Sequence, residues 1–337
     1  MIRFVGQELS AGSRIAVLAN DAIGNFVATT PLMQMLRSRY PEAELHYFGG
    51  ERTRELQEAS DLADQTHLFL GMSPALQAKS MAEGAATFDL VVNVEQTALT
   101  KVLGAVLCKE GGFVCGPTMG AGGRGDLPFA DDLRGDLWRD KQWIAPDLCA
   151  KYPILDSPFI GEIFCRLAYL DGQVPGYRLP STTPPVSVPD VIVSASASLT
   201  EKLWPYEKWE GVLRWLRSRG FRVGLVGAKP SFAAAHWHGD AEPRMVDEGL
   251  VEDLRGKMSL PEVVGALKLA KLVFTIDNGI LHLACGANTP TIGLYREGIH
   301  RLWAPPARAL TVLHPEPGSP VADIGVDAAL EAIERAL

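Results

Sequence analysis

The sequence predicts an α/β protein of two halves, each a parallel sheet with helical crossovers. Three observations carry this. Short β-forming apolar runs alternate with segments of helical period along the chain. A proline-crowded stretch interrupts that alternation, which restarts beyond it. The length, 337 residues, is enough for two domains.

From the N-terminus, Arg14 to Ala19 is a compact apolar run. The polar turn Asn20-Asp21-Ala22-Ile23-Gly24-Asn25 follows, then a helical pattern through Leu36 that stops before Pro41. Glu44 to Phe48 reads as the next strand, ending at Gly49-Gly50, and Glu51 to Ser60 as a helix. Asp89 to Val94 reads as a strand and Thr100 to Cys108 as a helix. Gly111 to Asp126 is dense in glycine and has no period, and Asp131 to Tyr152, charged and aromatic, reads as an excursion from the sheet. Ile160 to Leu170 fits an amphipathic helix, after which Pro175, Pro180, Pro184, Pro185 and Pro189 form the best linker in the chain. The second half then reads as strand Val191 to Ser194, helix Tyr206 to Arg219, strand Arg222 to Val226, helix Leu260 to Leu269 and strand Leu272 to Ile276. A helix starting at Gly279, a strand at Thr291 to Leu294, a Pro/Gly-rich stretch from Pro305 to Pro320 and a terminal amphipathic helix from Val326 complete it.

Composition narrows the function. Forty Asp+Glu against 32 Lys+Arg give a net charge of -8, with no block of like charge, so the chain carries no electrostatic footprint for nucleic acid or an anionic membrane. Apolar residues at 47% and charged ones at 21% exclude a disordered chain. The five cysteines are odd in number and lack a C-x-x-C pair, which points to reduced thiols and away from a disulfide framework or zinc site. Met1 to Gly12 has no signal-peptide core, and no stretch approaches the roughly 18 apolar residues of a transmembrane segment. The expectation is a cytoplasmic protein, peripheral to the inner membrane at most.

Parallel sheets bind ligands at the carboxyl ends of their strands, where helix N-termini offer backbone N–H groups. In the first half that place is Asn20 to Asn25, with Gly24 allowing close approach. In the second, Ser194 to Pro205 offers hydroxyls and Lys202, a cation set against the positive end of a helix dipole, where an anion would explain it. Asp277 and Asn278 read as helix caps, with His282 one turn further, either a core histidine or a ligand beside exposed N–H groups. No P-loop, G-x-G-x-x-G, zincin helix or Ser-His-Asp order appears, and no His or Cys cluster suggests a metal.

Four segments in register carry a resemblance: Asp21-Ala22-Ile23-Gly24-Asn25 with Thr30-Pro31-Leu32; Lys202-Leu203-Trp204-Pro205; Gly256-Lys257-Met258-Ser259-Leu260; and Asp277-Asn278-Gly279-Ile280-Leu281-His282-Leu283-Ala284. In order and spacing the chain resembles glycosyltransferase family 9, the ADP-heptose heptosyltransferases of lipopolysaccharide core assembly. The resemblance implies the GT-B fold, two Rossmann-like domains with parallel sheets facing across a cleft. Residues 1–175 would hold the acceptor, 190–320 the nucleotide sugar, and 321–337 would be a terminal helix. It implies inverting transfer of a sugar, heptose included, from a nucleotide diphosphate such as ADP, without a metal or cofactor, to a glycan, lipid-linked or small-molecule acceptor. Carried over, Lys202 pairs with the diphosphate with Ser196, Ser198 and Thr200 nearby. Met258 lies beside the adenine, Asp277 contacts sugar hydroxyls, and Asn278, Gly279 and His282 form the pyrophosphate-binding helix start.

Three departures matter. Where the family's turn reads Gly-Asp, with the Asp proposed as base, this chain has Gly24-Asn25, and an amide accepts no proton at neutral pH. Either a neighbouring carboxylate substitutes, Asp21 first and Glu95 second, or the acceptor needs less deprotonation, or the protein is a catalytically silent nucleotide-sugar binder. After Gly227 the chain offers Ala228-Lys229-Pro230-Ser231-Phe232 and none of the ribose-binding Glu seen in relatives. The arginines of the first half are scattered, which fits a less anionic acceptor than phosphorylated lipopolysaccharide.

Overall fold

The computed structural model describes residues 1–120, 122–229, 231 and 239–337. The chain divides into two units, Met1–Arg178 and Leu179–Leu337. The division falls inside the proline-rich segment.

Unit 1 holds β1 (Ile2–Arg3), β2 (Arg14–Leu18), β3 (Glu44–Gly50), β4 (Gln65–Leu70), β5 (Phe88–Asn93) and β6 (Cys108–Cys115), all parallel, in the order β1-β6-β5-β2-β3-β4. Its helices are α1 (Ile23–Arg39), α2 (Arg54–Ala59), α3 (Pro74–Gly84), α4 (Ala98–Leu107), α5 (Leu133–Arg139), α6 (Leu148–Lys151) and α7 (Ile160–Leu167). Unit 2 holds β7 (Val191–Ser194), β8 (Val223–Leu225), β9 (Glu252–Asp253), β10 (Leu272–Ile276), β11 (Thr291–Leu294) and β12 (Leu310–Leu313), again parallel, in the order β12-β11-β10-β7-β8-β9. Its described helices are α8 (Tyr206–Ser218), α9 (Ala241–Asp247), α10 (Leu260–Leu269), α11 (Gly279–Gly286), α12 (Ile299–Trp303) and α13 (Val326–Ala336). Both units wind alike: β2 and β7 lie mid-sheet, two strands follow on one side, and the chain then crosses to the other.

The strands that sequence patterning passes over are the irregular or peripheral ones. β6 lies in the glycine-dense stretch and pairs with β5 at Phe88↔Cys108 and then, after a register shift, at Leu90↔Phe113. That interruption erases any period. β1, β4 and β12 are edge strands; β1 and β12 are short, and β4 is partly polar and partly exposed. The charged excursion contains α5, capped by the Asp132 carboxylate accepting from the Gly135 N–H at 2.8 Å, with Leu137 and Trp138 buried. Helix α13 belongs to unit 2: Ala329, Ala332 and Ile333 pack in one core with Trp209, Leu213 and the strands β7 and β10.

Helix α1 is buried on most sides and contains Pro31. Proline cannot donate to the Val27 carbonyl four residues back. The Thr30 hydroxyl donates to it instead at 2.8 Å. Against α1 packs α7, whose every residue is buried, including a Glu162–Arg166 ion pair at 3.2 Å. Asp156 N–H and the Ser157 hydroxyl donate to Glu162, both at 2.7 Å, and Arg166 donates to the Ile154 and Leu170 carbonyls, both at 3.0 Å, so the pair is fully hydrogen-bonded. The two helices meet at Gly161, where an added Cβ would lie 2.5 Å from the Phe159 ring and 3.2 Å from the Ala28 carbonyl. Gly161→Ala is expected to destabilise the protein by about 1–3 kcal/mol through this overpacking, read as a lower midpoint in chemical denaturation. A stability equal to wild type would mean the helices can separate without cost.

Candidate functional site

In each sheet the carboxyl ends of the two strands at the reversal of winding, β2 with β5 and β7 with β10, form the place where an open parallel sheet receives ligands.

In unit 1, the turn after β2 is set by the Asn20 side chain, whose Oδ1 accepts from the Ala22 N–H at 3.0 Å. Gly24 and Asn25 open α1. After β5, the fully buried Asn93 accepts from the Glu95 N–H at 3.0 Å and donates to the Pro117 carbonyl at 2.6 Å, fixing the strand end. This places the Glu95 carboxylate against the β2 turn, where Asn25 Nδ2 donates to it at 3.2 Å and Asn20 Nδ2 at 3.4 Å. Among the described residues no cation pairs with Glu95. Burial raises its pKa above the usual carboxylate value, against the opposing pull of the two amide donors. Asp21 is differently placed. Its carboxylate accepts from the Arg52 N–H at 2.9 Å and pairs with the Arg52 guanidinium at 2.8 Å, and it packs so closely on Gly50 that a side chain there would collide with it. It holds the turn to the start of the β3–α2 connection.

In unit 2, Trp204 is buried against Trp209 and Phe274, and its Nε1 donates to the Ile324 carbonyl at 2.9 Å. This aromatic anchor fixes the loop that carries Lys202. The Lys202 ammonium pairs with the Asp277 carboxylate at 2.8 Å and donates to the Asp277 carbonyl at 3.1 Å. Asn278 caps α11, its Oδ1 accepting from Ile280 and Leu281 N–H at 3.0 and 3.3 Å. Its Nδ2 donates across to the Ser194 hydroxyl at 3.1 Å and the Ser196 carbonyl at 3.2 Å, joining the ends of β10 and β7. The Asn278 side chain is thus occupied as a cap and bridge. Gly279 is the first residue of α11.

His282 is buried, edge-on to the Trp303 ring and 4.0 Å from the Asp277 carboxylate, beyond hydrogen-bond length. Burial outweighs the neighbouring Asp277 carboxylate and pushes the imidazole down to about 4, so it is neutral at pH 7. Ser196 is partly buried, while Ser198 and Thr200 are exposed on the loop. Met258 is partly buried just before Ser259, the N-cap of α10, which forms a capping box with Glu262. Of the segment after Gly227, Pro230 and Phe232 lie outside the described residues. Lys229 lies over Gly256, whose φ of +64° and lack of a side chain accommodate it.

Three residues of this half were missed in the sequence. Arg296, after β11, pairs with Glu201 at 2.9 Å beside Lys202. Trp303 backs His282. Glu242 accepts from the Ala195 and Ser196 N–H groups at 3.0 and 2.9 Å. Its only sequence signal is an acid in the first turn of a helix, which capping already explains.

Two doubly wound parallel units are the architecture of a GT-B-type protein, and known proteins agree. Residues 173–321 match glycosyltransferase family 9 (heptosyltransferase). Lipopolysaccharide heptosyltransferase 1 of Salmonella typhimurium is 30% identical over 111 residues, 33% of this chain and 33% of that protein. Lipopolysaccharide heptosyltransferase 3 of Escherichia coli is 28% identical over 115 residues, 34% and 33% of the two chains. The matches thus span about a third of the length of these curated relatives. The whole fold has counterparts in a family 9 glycosyl transferase from Veillonella parvula, with TM-score 0.74, 16% identity and 98% of each chain covered, and in E. coli ADP-heptose heptosyltransferase II, with TM-score 0.68, 17% identity and 96% and 98% covered. Residues 173–321, which make up most of the second unit, are thus similar to glycosyltransferase family 9, and the chain as a whole has the GT-B fold. No helix among the described residues is long and apolar enough to cross a membrane.

The neutral His282 sets a pH dependence. The unfolded chain protonates near 6.5, the folded site only near 4, so in between the unfolded state binds more protons. Stability from this group is complete above pH 6.5 and lost as pH falls toward 4, at up to about 1 kcal/mol per pH unit. The thermal midpoint should fall between pH 7 and pH 5 more steeply in wild type than in His282→Gln; equal slopes would refute a neutral buried histidine.

Proposed function

We propose that the protein is an inverting glycosyltransferase that moves a sugar, heptose being the leading choice, from an ADP-linked donor held by unit 2 to an acceptor hydroxyl deprotonated by Glu95. The observation that carries the donor side is the Lys202–Asp277 ion pair at the winding reversal of the unit similar to family 9. E. coli heptosyltransferase WaaC, a structural neighbour, binds ADP and ADP-2-deoxy-2-fluoro heptose, which supports a nucleotide sugar in the corresponding unit here.

In this reading Lys202 exchanges its carboxylate partner for the diphosphate, whose negative charge grows as the bond from the anomeric carbon to phosphate oxygen breaks. Asp277, released from Lys202, accepts hydrogen bonds from sugar hydroxyls. The neutral His282 supports that carboxylate without adding charge. On the acceptor side, the hydroxyl oxygen attacks the anomeric carbon opposite the leaving ADP while its proton passes to Glu95. Burial raises the basicity of Glu95, and Asn25 and Asn20 orient it. Asn25, at the position where the family resemblance implies a base, becomes the residue that aims one. Asp21 is set aside as base because Arg52 engages its carboxylate.

Lys202→Ala should weaken ADP binding at least about tenfold in calorimetry, the scale of a lost charge-assisted contact; unchanged affinity would sink the donor-site assignment. Glu95→Gln should lower ADP release from ADP-heptose, measured over a panel of glycan, lipid-linked and small-molecule acceptors, by about 10²-fold or more with ADP affinity retained. Loss of the same size from Asp21→Asn with Glu95→Gln active would return the base to Asp21. Wild-type inactivity across the panel, with activity created by Asn25→Asp, would instead favour a silent nucleotide-sugar binder.

A further inference from the structure

Two successive backbone N–H groups aimed at one oxygen are the geometry with which a strand-end loop holds a phosphate. After β7 that geometry exists and is already filled. Glu242, buried in the first turn of α9, accepts from both the Ala195 and Ser196 N–H groups through a single oxygen, at 3.0 and 2.9 Å. Its other oxygen lies 3.6 Å from the Arg255 guanidinium, which is itself gripped by Asp253 through two bonds of 2.9 Å at the end of β9. A chain of charges thus runs from β9 past β8 to the loop after β7. Neither the Glu242 nor the Arg255 side chain is more than 8% exposed. On the loop's other side, the Ser196 carbonyl accepts from Asn278.

We infer that Glu242 is a positioning residue of the donor loop: an internal carboxylate that takes the place of a ligand phosphate at the Ala195 and Ser196 amides and leaves the diphosphate to Lys202. This rests on the reading of unit 2 as the donor domain. A second anion at those amides would meet the Glu242 charge, so the ligand is directed to the Lys202 side of the loop. With the amides and the Ser196 carbonyl both tied down, the segment leading to Lys202 has one path.

The test combines amide hydrogen exchange with ADP calorimetry. In the wild-type protein the Ala195 and Ser196 amides should be protected without ADP and remain so with it. Glu242→Gln, which keeps an acceptor oxygen, should bind ADP within about threefold of wild type, and a folded Glu242→Ala should lose at least about tenfold. Amides that exchange freely until ADP is added would overturn the inference, because they would then serve the ligand. So would a Glu242→Ala protein that melts lower yet binds ADP as wild type does, since that is a merely structural role. Should Glu242→Ala not fold, the exchange pattern and Glu242→Gln decide. Absence of ADP binding by the wild-type protein would sink the donor-site reading, while protected amides would still report the Glu242 clamp.

Discussion

Both sheets are wholly parallel and wound from a middle strand outward, first to one side and then to the other. The remaining structure follows from that constraint. Where the winding reverses, the connections leaving the two neighbouring strands diverge, and backbone groups at the strand ends are left without sheet or helix partners. Asparagine side chains take much of that role here. Asn93 and Asn20 fix the ends of β5 and β2, and Asn278 spans β10 and β7 while capping α11. An amide both donates and accepts, so one side chain can satisfy groups on two elements without introducing charge.

The charges placed on these two frameworks differ. At the unit 1 reversal the carboxylate of Glu95 has amide partners and sits where burial raises its proton affinity. At the unit 2 reversal a lysine and an aspartate neutralise each other at 2.8 Å, with a neutral imidazole behind them. An uncompensated carboxylate suits proton transfer, and an ion pair that can open suits an anionic ligand. Arg255 and Glu242 extend the second arrangement inward, so that the loop after β7 is held by protein charge on its buried side.

Much of this was legible in the sequence. The strands β2, β3, β5, β7, β10 and β11 are buried apolar runs, and such runs declare themselves. Helix α10 begins with Ser259, Pro261 and Glu262, a complete start signal. Edge strands and the interrupted β6 did not show, because partial exposure and a break in register remove the pattern. At the candidate site, Lys202, Asp277, Asn278 and His282 could be named from order and spacing, since they lie on two short segments.

The sequence by itself determined the α/β class, the division near the proline-rich segment and the identity of the side chains at the strand ends. Local period, proline chemistry and turn composition act over a few residues and need no knowledge of the rest of the chain. Only the tertiary structure decided which partners those side chains take. Asp21 is held by Arg52, Asn25 and Asn20 donate to Glu95 some 70 residues away, and Glu242 reaches the loop after β7 from a helix 46 or 47 residues on. Burial and long-range pairing set proton affinity and charge, and neither is written in local order.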